Sequence, residues 1–129
     1  MTTALNKRSE ENLKEVHADM VRVVRRAATI IDLSVIEGKR SKERQAELVA
    51  QGKSKRLDGK HTTEPFSEAV DIIPLPLNWN DTKRFFFLAG VMKMAAAIED
   101  VKIRWGGDWD GDNDFKDQTF NDLVHFELA

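Results

Sequence analysis

Two of the three histidines in the chain lie near carboxylates or in polar surroundings. His61 lies in a polar segment, Asp71 follows ten residues later, and His125 lies near the end of the chain. Two histidines and one carboxylate are a recurrent ligand set for catalytic zinc, which keeps a fourth position open for water. Zinc lowers the pKa of that water to about 7 and polarises a carbonyl group. The residue types alone favour histidines that are merely hydrogen-bonded, with the metal site of a hydrolase as the alternative.

The rest of the composition narrows the ligand chemistry. The chain has no cysteine, so disulfides and thiolate ligands are excluded, and any metal must be held by histidine and carboxylates. His17 lies in a segment of helical periodicity beside Val16, with no other ligand chemistry near it. We therefore predict a structural role for His17.

A second candidate for cation binding is the acidic segment 106–118. Its five aspartates are Asp108, Asp110, Asp112, Asp114 and Asp117. Carboxylate oxygens suit a hard cation such as calcium. An EF-hand counted from Asp108 would need glycine at its sixth position and glutamate at its twelfth, where this chain has Asn113 and Thr119. We expect a solvated acidic loop, with a calcium ion that orders the loop as the alternative.

The elements that would position these residues follow from periodicity and turn residues. Helices are predicted at 9–30, at 41–52 with Ser41 as N-cap and Gly52 after its end, and from Asn80 or Asp81 to about 100. Strands are predicted at 33–38, 68–73, 102–105 and 123–128, and a surface loop at 53–67. The 129 residues predict one domain, of α+β class, with a small, mostly antiparallel sheet flanked by helices.

The distribution of charge and aromatic residues argues against other classes of protein. Residues 1–60 carry 14 Lys and Arg against 9 Asp and Glu, but all ten aromatic residues lie beyond residue 60. The basic half therefore has no stacking platforms, and we predict no nucleic-acid partner. The apolar stretch 85–92 is much shorter than the roughly 20 residues of a membrane span. The amino terminus turns polar too early for a secretory signal, so we expect no integral membrane segment and no export signal.

Four sequence segments together resemble one known family. They are EGKRSKERQAELVAQGKSK, GKHTTEPFSEAVDI, WGGDW and NDLVHFEL, in that order between about residues 35 and 129. They resemble the LAS group of zinc peptidases, which includes D-Ala-D-Ala carboxypeptidases and the small phage endolysins that cleave L-alanyl-D-glutamate bonds. The endolysins are the closest match. The resemblance implies a LAS or hedgehog-like zinc peptidase fold.

The resemblance also implies roles for individual residues. His61, Asp71 and His125 would bind zinc, and Asp122, three residues before His125, would be the general base. Arg40 would bind substrate or stabilise the developing oxyanion, and Trp109 would lie near the substrate groove. Gln45 is expected to brace the helix or loop and not to contact substrate.

Two features of this sequence bear on that assignment. Family members commonly have six residues between the first two ligands, whereas nine separate His61 from Asp71, so Glu64 or Glu68 could intrude as a ligand. Residues three apart in a regular strand point to opposite faces, so Asp122 must lie in a turn or bulge. If the strand is regular through 122, Glu127 becomes the replacement base or an acceptor for an imidazole N–H.

We therefore predict a zinc-dependent phage endolysin, an L-alanyl-D-glutamate endopeptidase that acts on peptidoglycan stem peptides and causes host cell lysis. The protein would be a monomer made in the host cytoplasm, and it would reach peptidoglycan in the periplasm after the membrane is permeabilised. The alternatives are a D-Ala-D-Ala carboxypeptidase and a non-catalytic module that binds zinc or peptidoglycan.

Overall fold

The computed structural model describes residues 5–52, 60–108 and 122–129. Its elements are α1 (Lys7–Leu13), α2 (Ala18–Ala27), β1 (Leu33–Glu37), α3 (Lys42–Ala50), β2 (Ala69–Pro74), α4 (Thr82–Ile98), β3 (Ile103–Gly106) and β4 (Asp122–Leu128). One turn of 3-10 helix, Lys60–Thr62, lies between α3 and β2. The mixture of helices and strands confirms the predicted α+β class. None of the helices within the described ranges is long and apolar enough to cross a membrane.

The four strands form one sheet in the order β1-β2-β4-β3, and all three neighbouring pairs are antiparallel. This agrees with the predicted small antiparallel sheet. The two central strands, β2 and β4, are far apart in the sequence but are direct neighbours in space. They place Asp71 directly opposite His125.

The two faces of the sheet differ in chemistry. Side chains alternate between the faces of a strand, so Val70, Ile72 and Phe126 point to one face and belong to the hydrophobic core. Helix α4 packs on this apolar face, and α2 packs against α4. Asp71 and His125 lie on the opposite face. The apolar face thus anchors the strands while the other face carries the polar side chains.

The prediction of one continuous helix over 9–30 was wrong, because two helices occupy that stretch. The chain leaves the helical path at Val16, which forms a bridge with Ser67, and the backbone N–H of His17 donates to the carbonyl of Ser67 at 2.8 Å. His17 then begins α2, since its Nδ1 accepts from the backbone N–H of Asp19 at 3.1 Å. Both helices bury apolar residues, Leu13 in α1 and Met20, Val23, Val24 and Ala27 in α2, which is why the periodicity continued through the break.

The other predicted boundaries agree with the structure to within about two residues. The hydroxyl of Ser41 caps α3, and Gly52 follows its end with a φ of 75°, which favours glycine. Asp81 precedes α4, and β2 continues through Pro74. Of the predicted loop 53–67, residues 53–59 lie outside the described residues.

Candidate metal centre

The three predicted ligands lie together on the polar face of the sheet. The Nε2 atom of His61 lies 3.0 Å from Oδ1 of Asp71, and Nδ1 of His125 lies 3.3 Å from the same oxygen. One potential ligand atom from each residue lies within 4.8 Å of the other two. All three residues are buried, with 3% of His61, 9% of Asp71 and 8% of His125 exposed. This group of side chains could bind a metal ion.

Three separate segments bring these side chains together. The antiparallel register of β2 and β4 pairs Asp71 with His125. His61 lies in the 3-10 turn, whose carbonyl at His61 accepts from the backbone N–H of Arg40 at 2.8 Å. The carbonyl of Lys60 accepts from the N–H of Glu68 at 2.9 Å, which ties the turn to the start of β2. Backbone hydrogen bonds to Arg40 and to Glu68 thus hold the turn in place near Asp71.

The hydrogen bond on the far side of the His61 ring determines its tautomer. Nδ1 lies 2.7 Å from the carbonyl oxygen of Gly38, and a carbonyl can only accept, so Nδ1 carries the hydrogen. In the neutral ring, Nε2 therefore presents its lone pair toward Asp71. Gly38 itself packs closely against α1, because an added Cβ would overlap the carbonyl oxygen of Asn12.

His125 is oriented in the same way by a carboxylate. Its Nε2 lies 2.8 Å from Oε1 of Glu127, so in the neutral ring Nε2 carries the hydrogen and Nδ1 presents its lone pair toward Asp71. Two imidazole lone pairs and a carboxylate oxygen thus converge. Such a convergence is unfavourable unless a proton or a cation lies between the groups. The donor set fits a metal ion bound by neutral imidazoles and an ionised carboxylate.

The contact between His125 and Asp71 shifts the pKa values of the two groups in opposite directions. Burial lowers the pKa of His125, but hydrogen bonds to Asp71 and Glu127 outweigh it and raise the pKa to about 9. Burial raises the pKa of Asp71, but the hydrogen bonds from His125 and His61 outweigh it and hold that pKa well below its usual range. These two shifts favour an ionised Asp71 beside a protonated His125 at neutral pH.

Arg40 borders the cluster and is bound by several side chains. Its Nε and Nη2 donate to the two carboxylate oxygens of Glu37 at 2.7 and 2.6 Å, and Nη1 donates to Oε1 of Gln45 at 2.6 Å. Nη2 also lies 3.5 Å from Oδ2 of Asp71. Burial lowers the pKa of Arg40, but Glu37 outweighs it and raises the pKa. Gln45 is buried and braces Arg40, in agreement with its predicted role.

The prediction that Asp122 needs a bulge is met by an irregularity of β4. Trp105 pairs with Phe126, but the next residue, Gly106, pairs with Asp122, so β4 has three more residues than β3 between these pairs. The strand is therefore not regular between Asp122 and Phe126. Gly106 permits the close approach, because an added Cβ would overlap the carbonyl oxygen of Asp122.

The electrostatics of Asp122 link its carboxyl group to the cluster. Burial raises its pKa, and so does the negative charge of Asp71. The charges of His125, His61 and Arg40 act in the opposite direction without cancelling the rise. Asp122 is thus near enough to the candidate ligands for their charges to affect its pKa.

Glu127 occupies a different position from the one a base would need. Its carboxylate bonds to Nε2 of His125, whereas Asp71 lies on the Nδ1 side of the ring. The imidazole thus separates Glu127 from the point where the three ligand atoms converge. Of the two roles considered for Glu127, the geometry favours the acceptor of an imidazole N–H.

Several other predictions about the surroundings can be compared with the structure. Glu64 pairs with Lys39 at 2.6 Å and Glu68 pairs with Lys60 at 3.2 Å, so neither belongs to the group of candidate ligands.

Most of the predicted acidic loop lies outside the described residues, namely Trp109 and the aspartates Asp110, Asp112, Asp114 and Asp117. Asp108 is buried and lies 3.6 Å from Lys93. Calcium binding by this loop therefore stays a prediction.

Two contributors to the site were missed by the sequence reasoning. Glu37 holds Arg40 with both carboxylate oxygens, and the carbonyl of Gly38 orients His61. The signal for Glu37 is its spacing of three residues from Arg40 across a turn. The register irregularity between Val35 and Glu37, which pairs Glu37 with Asp71, could not have been read from the sequence.

Comparisons with known proteins agree with one another. The family described as phage L-alanyl-D-glutamate peptidase matches residues 1–129. The L-alanyl-D-glutamate peptidase of Escherichia phage T5 is 27% identical over 137 residues, which cover 100% of both chains. The crystal structure of the L-Ala D-Glu endopeptidase ChiX from Serratia marcescens has a TM-score of 0.80 and 36% identity, and the match covers 95% of this chain and 87% of that one.

Proposed function

Because this chain belongs to the family of phage L-alanyl-D-glutamate peptidases, we propose that it is an endolysin that hydrolyses the L-alanyl-D-glutamate bond of peptidoglycan stem peptides in a zinc-dependent reaction. Zinc would be held by Nε2 of His61, Oδ1 of Asp71 and Nδ1 of His125. The observation that carries the proposal is that one nitrogen of each imidazole and a carboxylate oxygen lie within 4.8 Å of one another, while a carbonyl and a carboxylate bind the far nitrogens of the two rings.

The roles of the residues around that point follow from their chemistry. A bound zinc ion supplies a Lewis acid that activates water near neutral pH and polarises the scissile carbonyl. Asp122 would accept a proton from the attacking water and transfer it to the leaving amine as the C–N bond breaks. The raised pKa of Asp122, caused by burial and by Asp71, shifts this carboxyl group toward the pKa of an effective base.

Arg40 and Trp109 complete the proposed site. A guanidinium group matches a carboxylate with two parallel hydrogen bonds, and D-glutamate carries such a carboxylate. The contact between Arg40 and Asp71 supports a position at the edge of the metal centre. Trp109 would border the substrate groove, and this assignment rests only on the resemblance of the Gly-Gly-Asp-Trp segment to the family.

The proposal also covers the domain organisation of the chain and the place where the protein acts. We propose that residues 1–129 act as one catalytic domain, which the family match over all 129 residues supports. Helices α1, α2 and α4 and the sheet also share one hydrophobic core. The protein would act as a monomer, would be made in the host cytoplasm, and would reach peptidoglycan after a separate membrane lesion.

Metal content and product analysis of wild type, His125→Ala and His17→Ala test this function. We expect wild type and His17→Ala to bind one zinc ion and to release muropeptides from purified sacculi with a new D-glutamate amino terminus. His125→Ala should lose both properties, because it lacks a ligand, whereas His17 only caps α2. Release of D-alanine would instead identify a carboxypeptidase. Bound zinc without any release would identify a non-catalytic module.

A further inference from the structure

Glu127 is a buried carboxylate that the proposed reaction does not use. Only 5% of the residue is exposed, and its Oε1 lies 2.8 Å from Nε2 of His125. Burying a carboxylate is costly unless it is paired and hydrogen-bonded. A buried acidic side chain that bonds to a candidate ligand from its far side therefore requires an explanation.

The register of the sheet explains how Glu127 is accommodated. Its cross-strand partner on β2 is Ala69, whose small side chain leaves room for the glutamate. Its partner on β3 is Arg104, whose Nη1 lies 3.5 Å from Oε2 of Glu127. One carboxylate oxygen thus faces Arg104 and the other faces the imidazole. Glu127 and His125 are two residues apart in β4, so both lie on the same face of the sheet.

The chemical consequence concerns the tautomer of His125. A neutral imidazole has one nitrogen that donates and one that accepts, and only the accepting nitrogen can bind a metal. A carboxylate is an obligate acceptor, so in the neutral ring it holds the hydrogen on Nε2 and leaves Nδ1 unprotonated. The carbonyl of Gly38 acts on the opposite nitrogen of His61, so the two ligands present different ring nitrogens.

We propose that Glu127, itself held by Arg104, is a positioning residue that sets the tautomer of His125 and thereby selects Nδ1 as its metal-binding atom. This proposal rests on the proposed metal centre. It assigns a function to the His-x-Glu spacing of 125 and 127. It also extends the site to β3, the edge strand that supplies Arg104.

Zinc affinities of four proteins test the proposal, measured by competition with a chromophoric chelator. Glu127→Leu keeps a side chain of similar volume but removes the acceptor, whereas a glutamine carbonyl could still accept from Nε2. We expect a loss of about 10- to 100-fold in zinc affinity, which is typical when the partner of a ligating histidine is changed. Arg104→Met should lose at most about fivefold, because Arg104 is 46% exposed. Glu99→Gln, which changes a carboxylate paired with Arg26, is the control and should match wild type.

A spectroscopic measurement reports the tautomer directly. Long-range proton–nitrogen correlation spectra of the zinc-loaded wild type should show His125 protonated at Nε2 and metal-bound at Nδ1. This measurement needs no variant, so the assignment of Nδ1 can be contradicted even if Glu127→Leu fails to fold. A spectrum with zinc on Nε2 of His125 would overturn the proposal.

The outcomes separate this proposal from the proposed function. A wild type that binds no zinc contradicts the metal centre itself. A wild type that binds zinc, together with a Glu127→Leu variant of equal affinity, contradicts only the positioning role. Loss of muropeptide release at unchanged zinc affinity would make Glu127 a participant in catalysis and would also overturn the positioning role.

Discussion

At the scale of single residues, each imidazole of the candidate metal centre is oriented by an acceptor behind it. A carbonyl performs this task for His61 and a carboxylate for His125. The two acceptors direct the opposite nitrogen of each ring toward the same oxygen of Asp71. The site is thus preorganised for a cation before one binds, which lowers the cost of assembling it.

Asp122→Asn should separate catalysis from metal binding. An amide cannot take up the proton of the attacking water, so we expect muropeptide release to fall about 10²- to 10⁴-fold. Zinc content should stay at the wild-type level, because Asp122 is not among the three candidate ligands. Release rates and metal analysis of the same samples measure both quantities.

Asp32→Asn is the matched control, since Asp32 is exposed and precedes β1. It should behave as wild type. An Asp122→Asn variant with wild-type release would remove Asp122 as the base.

The pH dependence of zinc binding follows from the proton on His125. Without metal, hydrogen bonds to Asp71 and Glu127 raise the pKa of His125 to about 9, so below this pH zinc must displace a proton. Each displaced proton makes the affinity rise by about tenfold per pH unit, and the rise should level off near pH 9. Calorimetry in buffers of different ionisation enthalpy counts the protons released. An affinity that is flat between pH 6 and 8 would contradict a protonated His125.

At the scale of elements, the register of the strands decides which side chains meet. The apolar faces of β2 and β4 pack under α4, so their alternate residues are directed to the polar face. The irregularity between Trp105 and Gly106 then places Asp122 against the end of β3. This single irregularity in the strand pairing thus places the proposed base, Asp122, near the candidate ligands.

Two glycine substitutions test the importance of that close approach. Gly106→Ala would place a methyl group against the carbonyl oxygen of Asp122, and we expect a loss of about 1–3 kcal/mol in the free energy of unfolding. Gly90→Ala is the matched control, because an added Cβ there meets no atom within 4 Å in α4. It should stabilise the protein by about 0.5–1 kcal/mol. Urea unfolding of both variants measures the difference, and equal effects would contradict the role of Gly106.

At the scale of the whole molecule, the candidate metal centre connects distant parts of the chain. His61 belongs to the turn before β2, Asp71 to a central strand and His125 to the last strand. The surrounding contacts add the loop after β1 through Gly38 and the edge strand through Arg104. A bound cation would therefore stabilise the folded state and not one element alone.

Zinc should accordingly raise the melting temperature. A ligand that binds only the folded state at about 100 times its Kd adds about 2.7 kcal/mol, which corresponds to about 10 °C for a domain of this size. Thermal unfolding with added zinc and with a chelator measures the shift. His125→Ala should show no shift, and a similar shift in that variant would indicate that zinc binds elsewhere.

The sequence alone determined the residue types of the metal centre, the α+β class and most of the element boundaries. These properties depend on side-chain chemistry and on periodicities of two or 3.6 residues, which are local. The prediction failed at residues 14–17, where a contact with Ser67 outweighs helical periodicity. That partner lies about fifty residues away in the sequence.

The tertiary structure alone decided which nitrogen each imidazole presents, where Asp122 lies and what holds Arg40. Each of these depends on atoms that are distant in sequence: the carbonyl of Gly38 for His61, the register between β3 and β4 for Asp122, and the carboxylate of Glu37 opposite Asp71 for Arg40. Local patterns cannot encode such pairings, because a hydrogen bond depends on distance and direction in space and not on separation along the chain.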